Sequence, residues 1–438
     1  MSPKTQDDPV VVVGGLRTPF VKAFSEFTTL DAIALGTAVV RALVSAHKLD
    51  RSQVDALVWG GVILPSASPN VAREIVLDAG LDPACEAMTV TRACASGLQA
   101  ITTAAAMIER GDAEVVIAGG GDSTSNAELK LPQKVVHALA PLALGKPTAG
   151  AVLGVIGQLA PFTDLLPQKP RIAERSTGEV MGEAAERMAA RNEITREAQD
   201  AFAARSHHRA AEALANGTLQ PEVIAVQVKG DRWVHNDTIV RGDTSVEKLA
   251  RLRPVFAKDG TLTAGNATPL TDGAAGVLLM RASKAQRLGL RPLAAIRSWA
   301  YVGVDPADQL LMGPALAVPR ALDRAGITLA DIDLVDLHEA FAAQVLSVLK
   351  MLGSEAFARL RLGRAAAVGE VSDDKLNVYG GSLALGHPFG ATGARMVTTM
   401  ARALASGPHR YAVLGLCAAG GLGAAAVLER FDPPVAPA

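Results

Sequence analysis

The chain has 438 residues, of which 49% are hydrophobic, 20% charged and only 4% aromatic, enough for two or three domains with ample core. Its 43 lysines and arginines balance 44 aspartates and glutamates, and the formal charge of −1 argues against a protein that grips nucleic acid by bulk positive charge. Three cysteines, Cys85, Cys94 and Cys417, exclude a disulfide framework or an all-cysteine metal cluster but leave cysteine open as a nucleophile.

The first nine residues are polar and the apolar stretch at 10–13 is too short for a signal-peptide core, so the expected location is cytoplasmic. Residues 10–14 read as a buried strand. Residues 30–49 are apolar at helical spacing, with Asp31 in the first turn, and 55–59 read as another strand. A helix is expected over 94–110 and a strand over 114–120. Residues 131–162 are apolar but carry Pro132, Pro141, Pro147 and Pro161, which excludes one straight helix. Lys130, Lys134, Lys146, Lys169 and Arg171 lie in or beside that stretch. Helices follow over 178–192 and 194–216, the second with Thr195 as N-cap and Asn216-Gly217 at its end. The apolar run 412–428 is broken by glycines and falls short of the ~20 apolar residues of a bilayer span, so it reads as buried sheet.

The second half repeats the first. Residues 53–59 align with 331–337, each after a helix of similar length, the second at 313–325. Cys94-Ala95-Ser96-Gly97 opens an Ala/Thr-rich helix followed by a glycine and a strand, and His387-Pro388-Phe389-Gly390 does the same before the strand at 411–416. A duplicated α/β unit with a pseudo-twofold axis follows, and the axis would bring Cys94 and His387 face to face.

That juxtaposition suits a Cys–His nucleophile pair. A cysteine at a helix N-terminus faces unpaired N–H groups, which favour its thiolate, although a lone cysteine is more often buried structure. The glycine-rich run around His387 could instead cradle a phosphate. Cys417 ends a strand before a glycine turn, where it could act as acid or base or simply fill core. His338, at the end of the strand at 333–337, could donate to a developing oxyanion. His338 and His387 could also hold a metal with a cysteine, but no compact ligand spacing supports this, and no metal is expected.

Four blocks in order resemble the thiolase family of β-ketoacyl-CoA thiolases and acetyl-CoA acetyltransferases: Cys94-Ala95-Ser96-Gly97, His338-Glu339-Ala340-Phe341, Gly386-His387-Pro388-Phe389-Gly390-Ala391-Thr392-Gly393, and Cys417-Ala418-Ala419-Gly420-Gly421. Arg17-Thr18-Pro19-Phe20 and the segment from Asn266 to Ala274 resemble two further family signatures. The resemblance implies duplicated α/β domains in five layers, αβαβα, with an inserted loop domain. It divides the chain into an N-terminal half (1–122 and 251–283), a loop domain with an apolar insert (123–250) and a C-terminal half (284–438).

The activity it implies is thiolytic cleavage of 3-ketoacyl-CoA by CoA, a reversible Claisen condensation. The alternatives are a biosynthetic acetoacetyl-CoA thiolase and a non-catalytic acyl-CoA- or lipid-binding protein on the same scaffold. By the same resemblance Cys94 is the nucleophile, His387 its activator and Cys417 the acid/base at carbon. His338 holds an oxyanion-stabilising water, and the backbone N–H groups of Cys94 and Ala419 form a second oxyanion hole. Met181, Thr268 and Phe341 are expected to bind CoA or substrate. No permanently bound cofactor is implied, only CoA as co-substrate. The expected partners are a second copy, in a homodimer or homotetramer, and an enoyl-CoA hydratase/3-hydroxyacyl-CoA dehydrogenase subunit. Contact of the insert at 129–169 with a partner or a membrane surface is a further expectation. His338 stands where many members have Asn, which resembles the β-subunit of the fatty-acid trifunctional enzyme. Ala419 replaces a glycine and Thr268 a serine. Cys85 is left as structural.

Overall fold

The computed structural model describes residues 8–129, 131–144 and 173–432. The first half contains β1 (Val10–Arg17), α1 (Ala32–Ala46), β2 (Ala56–Gly60), α2 (Val71–Ala79), β3 (Glu86–Val90), α3 (Ser96–Arg110) and β4 (Val115–Asp122). The excursion holds α4 (Gln133–Leu144), α5 (Met181–Arg191) and α6 (Arg196–Ala215). β5 (Thr271–Arg281) returns to the first half. The second half is β6 (Ala294–Gly303), α7 (Gly313–Ala325), β7 (Leu334–Leu337), α8 (Ala342–Leu352), α9 (Phe389–Ser406), β8 (Tyr411–Ala418) and β9 (Leu422–Arg430).

The strands lie in the order β7-β8-β9-β6-β1-β5-β4-β2-β3, and the order reveals the duplication. Outward from the centre, β1, β5, β4 and β2 correspond to β6, β9, β8 and β7. The β2/β4 and β7/β8 pairs are both parallel, and the pairs nearer the centre are all antiparallel. The alignment of 53–59 with 331–337 therefore describes equivalent strands. Even β3 has a vestigial counterpart, the single parallel bridge from Val335 to Leu376. The half-sheets join through β1 and β6, where only Val11↔Ala295 and Val12↔Ala294 pair.

Five layers result. α3 and α9 pack together between the inner faces of the two half-sheets, and Leu98, Ile101, Ile108, Met396, Val397 and Met400 are buried there. α1 and α2 cover the outer face of the first half-sheet. α7 and α8 cover the outer face of the second, together with α5 and α6 of the excursion. The helix stripes follow their apolar spacing. Asp31 is the N-cap of α1 rather than a first-turn residue, its side chain accepting from Ala34 N. Thr195 caps α6 as expected. The helix expected from Cys94 begins instead at Ser96.

The proline-interrupted stretch yields α4, which starts after Pro132 and continues through position 141. Lys130, Lys146, Lys169 and Arg171, and most of the proposed insert, lie outside the described residues. Among the described residues, no helix is long and apolar enough to cross a membrane.

A buried ion cluster ties the excursion to the core. Arg17 Nε donates to Glu222 at 2.7 Å, and its Nη1 and Nη2 donate to both Asp237 oxygens at 2.6 and 2.9 Å. Thr399 of α9 donates to the second Glu222 oxygen at 2.9 Å.

Candidate active site

The chain leaves β3 and turns sharply into α3. Ala93 adopts a φ of 46°, a left-handed conformation that costs a side-chain-bearing residue about 1–2 kcal/mol. Buried Ser96 holds the turn closed: its Oγ donates to Ala93 O at 2.6 Å and accepts from Arg92 N at 2.7 Å. Cys94, partly buried, sits two residues before the first helical residue. His387 occupies the same place relative to α9. The two helix starts can approach because both carry glycine: a Cβ on Gly97 would lie 2.2 Å from Gly390 O. Asp122, at the end of β4, fixes the approach. One of its oxygens accepts from Gly390 N at 2.7 Å and the other from Val62 N and Ile63 N at 2.9 and 2.6 Å. Burial raises the Asp122 carboxyl to about 6 despite these donors.

His338 follows β7, its N–H bonded to Gly415 O at 2.8 Å. The His338 and His387 rings lie 4.2 Å apart between centroids. Each ring is held through Nδ1: His387 against Thr392 Oγ1 at 2.6 Å and His338 against Ser382 Oγ at 3.0 Å. Both Nε2 atoms are buried and have no hydrogen-bond partner among the described residues. Ligand atoms of Cys94, His338 and His387 lie within 4.8 Å of one another. The repeat placed Cys94 opposite His387; the joining of His338 to them had no local spacing to announce it, because the three residues come from distant segments.

Cys417, fully buried at the end of β8, lies close enough to Cys94 for their charges to interact. The Cys94 thiol also sits against the backbone N–H of Ala419. Ala419 itself needs no positive φ; the turn places that demand on Gly420 (84°) and Gly421 (66°). The thiolate favoured by the helix start is opposed by burial. Burial pushes the Cys94 thiol up to about 11, and the Ala419 N–H offsets only part of that. Burial and the nearby Arg395 guanidinium hold His387 down to about 3, and burial drives His338 well below its ordinary value. Burial and the neighbouring Cys94 raise Cys417 well above the usual thiol range. All four shifts favour the neutral form of the group.

Phe341 ends the second block, and Thr268 lies against it. Thr268 N donates to Ala340 O at 3.1 Å and its Oγ1 to Ser382 O at 2.8 Å, so the hydroxyl braces the His338 support. Phe341 meets Phe256 edge to face at 5.8 Å, and Met181, the first residue of α5, packs against the same core. Cys85 packs in the outer core of the first half.

Several site residues had no assigned role in the sequence. Glu339, buried beside His338, accepts from Ser206 Oγ, Asn377 Nδ2 and Leu383 N. Arg395 pairs with Asp336 at 2.9 Å in the buried layer behind the histidines. Thr392, Ser382 and Glu339 sit within or beside the quoted blocks, which was their only signal. For Asp122 the only hint was a carboxylate ending an otherwise apolar strand.

Residues 10–283 match the family model "Thiolase, N-terminal domain" and residues 290–430 match "Thiolase, C-terminal domain". The chain is 47% identical over 429 residues to the 3-ketoacyl-CoA thiolase of Aeromonas salmonicida, covering 97% of each chain. It is 46% identical over 426 residues to that of Escherichia fergusonii, again with 97% of each covered. Among solved structures it resembles the Bacillus anthracis acetyl-CoA acetyltransferase (TM-score 0.82, 32% identity, 97% of this chain and 99% of that one). It also resembles human mitochondrial 3-ketoacyl-CoA thiolase (TM-score 0.82, 30% identity, 97% and 99%).

Proposed function

The chain belongs to the thiolase family, and on that premise we propose that it cleaves 3-ketoacyl-CoA thiolytically with CoA through an acyl group carried on Cys94. The observation that carries the assignment of roles is the convergence of Cys94 with two buried imidazoles whose Nε2 atoms have no partner among the described residues.

In the first step His387 Nε2 takes the Cys94 proton and the sulfur attacks C3 of the substrate. The C2–C3 bond breaks, and acetyl-CoA leaves as its enolate. The enolate oxygen is stabilised by His387 and a water held by His338, and Cys417 protonates C2. In the second step the Cys417 thiolate takes the proton of incoming CoA. The CoA sulfur attacks the acyl-Cys94 carbonyl, and Cys94 departs and recovers its proton from His387. The tetrahedral oxyanions of both steps are assigned to the N–H groups of Cys94 and Ala419. Two holes are needed because charge develops on two different oxygens. Met181, Thr268 and Phe341 line the path of substrate or CoA, with CoA a co-substrate rather than a resident cofactor.

The proposed setting is fatty-acid β-oxidation in the cytoplasm, as a homodimer or homotetramer. Exposed Leu129, Leu131, Val136 and Leu139 support a contact role for the insert, with a hydratase/dehydrogenase subunit or a membrane surface as its candidates.

Mass spectrometry after incubation with acyl-CoA tests the division of labour. Cys417→Ala should still load an acyl group on Cys94, because a CoA thiolate can leave without a proton donor, but fail at carbon–carbon exchange, where the proton on C2 must be moved; a folded Cys417→Ala enzyme that cannot be acylated contradicts it. Turnover should extend beyond the four-carbon substrate. Activity confined to acetoacetyl-CoA would make the enzyme biosynthetic.

A further inference from the structure

We propose that the resting site captures one thiophilic divalent cation of the Zn2+ type, bound by Cys94 Sγ, His338 Nε2 and His387 Nε2, and that this capture reversibly silences the enzyme. The inference rests on the donor geometry and not on the turnover scheme.

Three donors of a sulfur–nitrogen–nitrogen set, from three separate segments, already lie within 4.8 Å of one another. Each imidazole has its Nδ1 against a hydroxyl, Thr392 for His387 and Ser382 for His338. With Nδ1–H donating outward, the Nε2 lone pair is left pointing inward, the tautomer that metal-ligating histidines use. His338 is fully buried and His387 is 4% exposed, yet neither Nε2 has a partner among the described residues. A buried unpartnered nitrogen costs free energy that a metal bond would recover.

A tetrahedral ion with bonds of about 2.0–2.3 Å needs donor separations of roughly 3.3–3.6 Å, so the three side chains close in by about 1 Å. The fourth position is left for water. Thiolate and imidazole select Zn2+ or Co2+ over Mg2+ or Ca2+, which prefer oxygen. On binding, the S–H bond of Cys94 breaks, a metal–sulfur bond forms and the proton leaves to solvent. The same ion occupies the nucleophile and both imidazole nitrogens, so acyl transfer stops until it is removed.

Cobalt provides the test. Chelator-treated resting enzyme is titrated with Co2+ in the absence of CoA. The expected result is a near-ultraviolet thiolate-to-cobalt band and visible bands of tetrahedral intensity, saturating at one cobalt per chain. Zn2+ should displace the cobalt and abolish turnover, and chelator should restore it. Alkylating Cys94 with iodoacetamide, or Cys94→Ala, should remove the near-ultraviolet band. His338→Ala should weaken binding at least tenfold, and Cys85→Ala should change nothing. The proposal is overturned by a band that survives loss of Cys94, by wild-type affinity in His338→Ala, or by no tetrahedral spectrum at millimolar cobalt. A blank titration with normal acyl transfer overturns this inference alone. Failed acylation of Cys94 beside a normal cobalt spectrum overturns only the catalytic reading.

Discussion

Burial favours the neutral thiol of Cys94 and, together with Arg395, the neutral imidazole of His387. An unoccupied enzyme should therefore show little thiolate at neutral pH. The thiol lies at about 11, so the thiolate fraction grows with pH throughout the range below that value. Iodoacetamide should alkylate Cys94 about tenfold faster per pH unit between pH 6 and 9. A rate already flat below pH 7 would reveal a resting thiolate–imidazolium pair instead. The Thr392 hydroxyl fixes which nitrogen of His387 faces the sulfur. Thr392→Val should lower kcat/KM on the order of 10²-fold, the scale of a mispositioned general base, while Thr392→Ser restores it and the melting temperature of both stays near wild type. Equal loss in the Val and Ser variants would show that the hydroxyl contact does not matter.

Two helix starts, those of α3 and α9, make the site, and their contact leaves no room for a methyl group. The Cβ of Gly97→Ala would lie 2.2 Å from Gly390 O, a backbone atom that cannot rotate away. Overpacking of this kind costs about 1–3 kcal/mol, so Gly97→Ala should lower the urea midpoint and reduce acylation together. Unchanged stability would mean the helices separate freely. The equivalence of Cys94 and His387 was legible in the sequence because a helix start is a local signal that repeats in both halves. The Asp122 contact to Gly390 was not, because it spans 268 positions. The Thr392 and Ser382 hydroxyls could be read only as members of a motif, since their function depends on which way a ring turns. The burial that opposes a thiolate at the helix start was not legible either: the N-terminal N–H groups are sequence-local, whereas burial depends on how the whole chain packs around the thiol. The metal-competent cluster escaped a search for close spacing because its members meet only after folding.

Across the molecule, the excursion is fastened to the duplicated core by Arg17 with Glu222 and Asp237, all three buried. Removing the cation would leave two buried carboxylates without the guanidinium that bonds them both. Arg17→Met should destabilise the protein by about 3–5 kcal/mol in denaturant titration, and Arg17→Lys should recover only part of that, since an ammonium cannot engage both acids in the same geometry. A fully stable Arg17→Met would show that the cluster is dispensable. The strand order carries a further consequence, for synthesis. β5 is hydrogen-bonded between β1 and β4, so the first half-sheet stays open until residue 281 has left the ribosome. His387 follows more than a hundred residues later. Until α9 is made, Cys94 lacks its proposed base, and a truncated chain released before that point would carry no Cys94–His387 pair. The duplication divides the proposed Cys94–His387 pair between two halves made at different times, so the pair can form only once the second half has folded against the first.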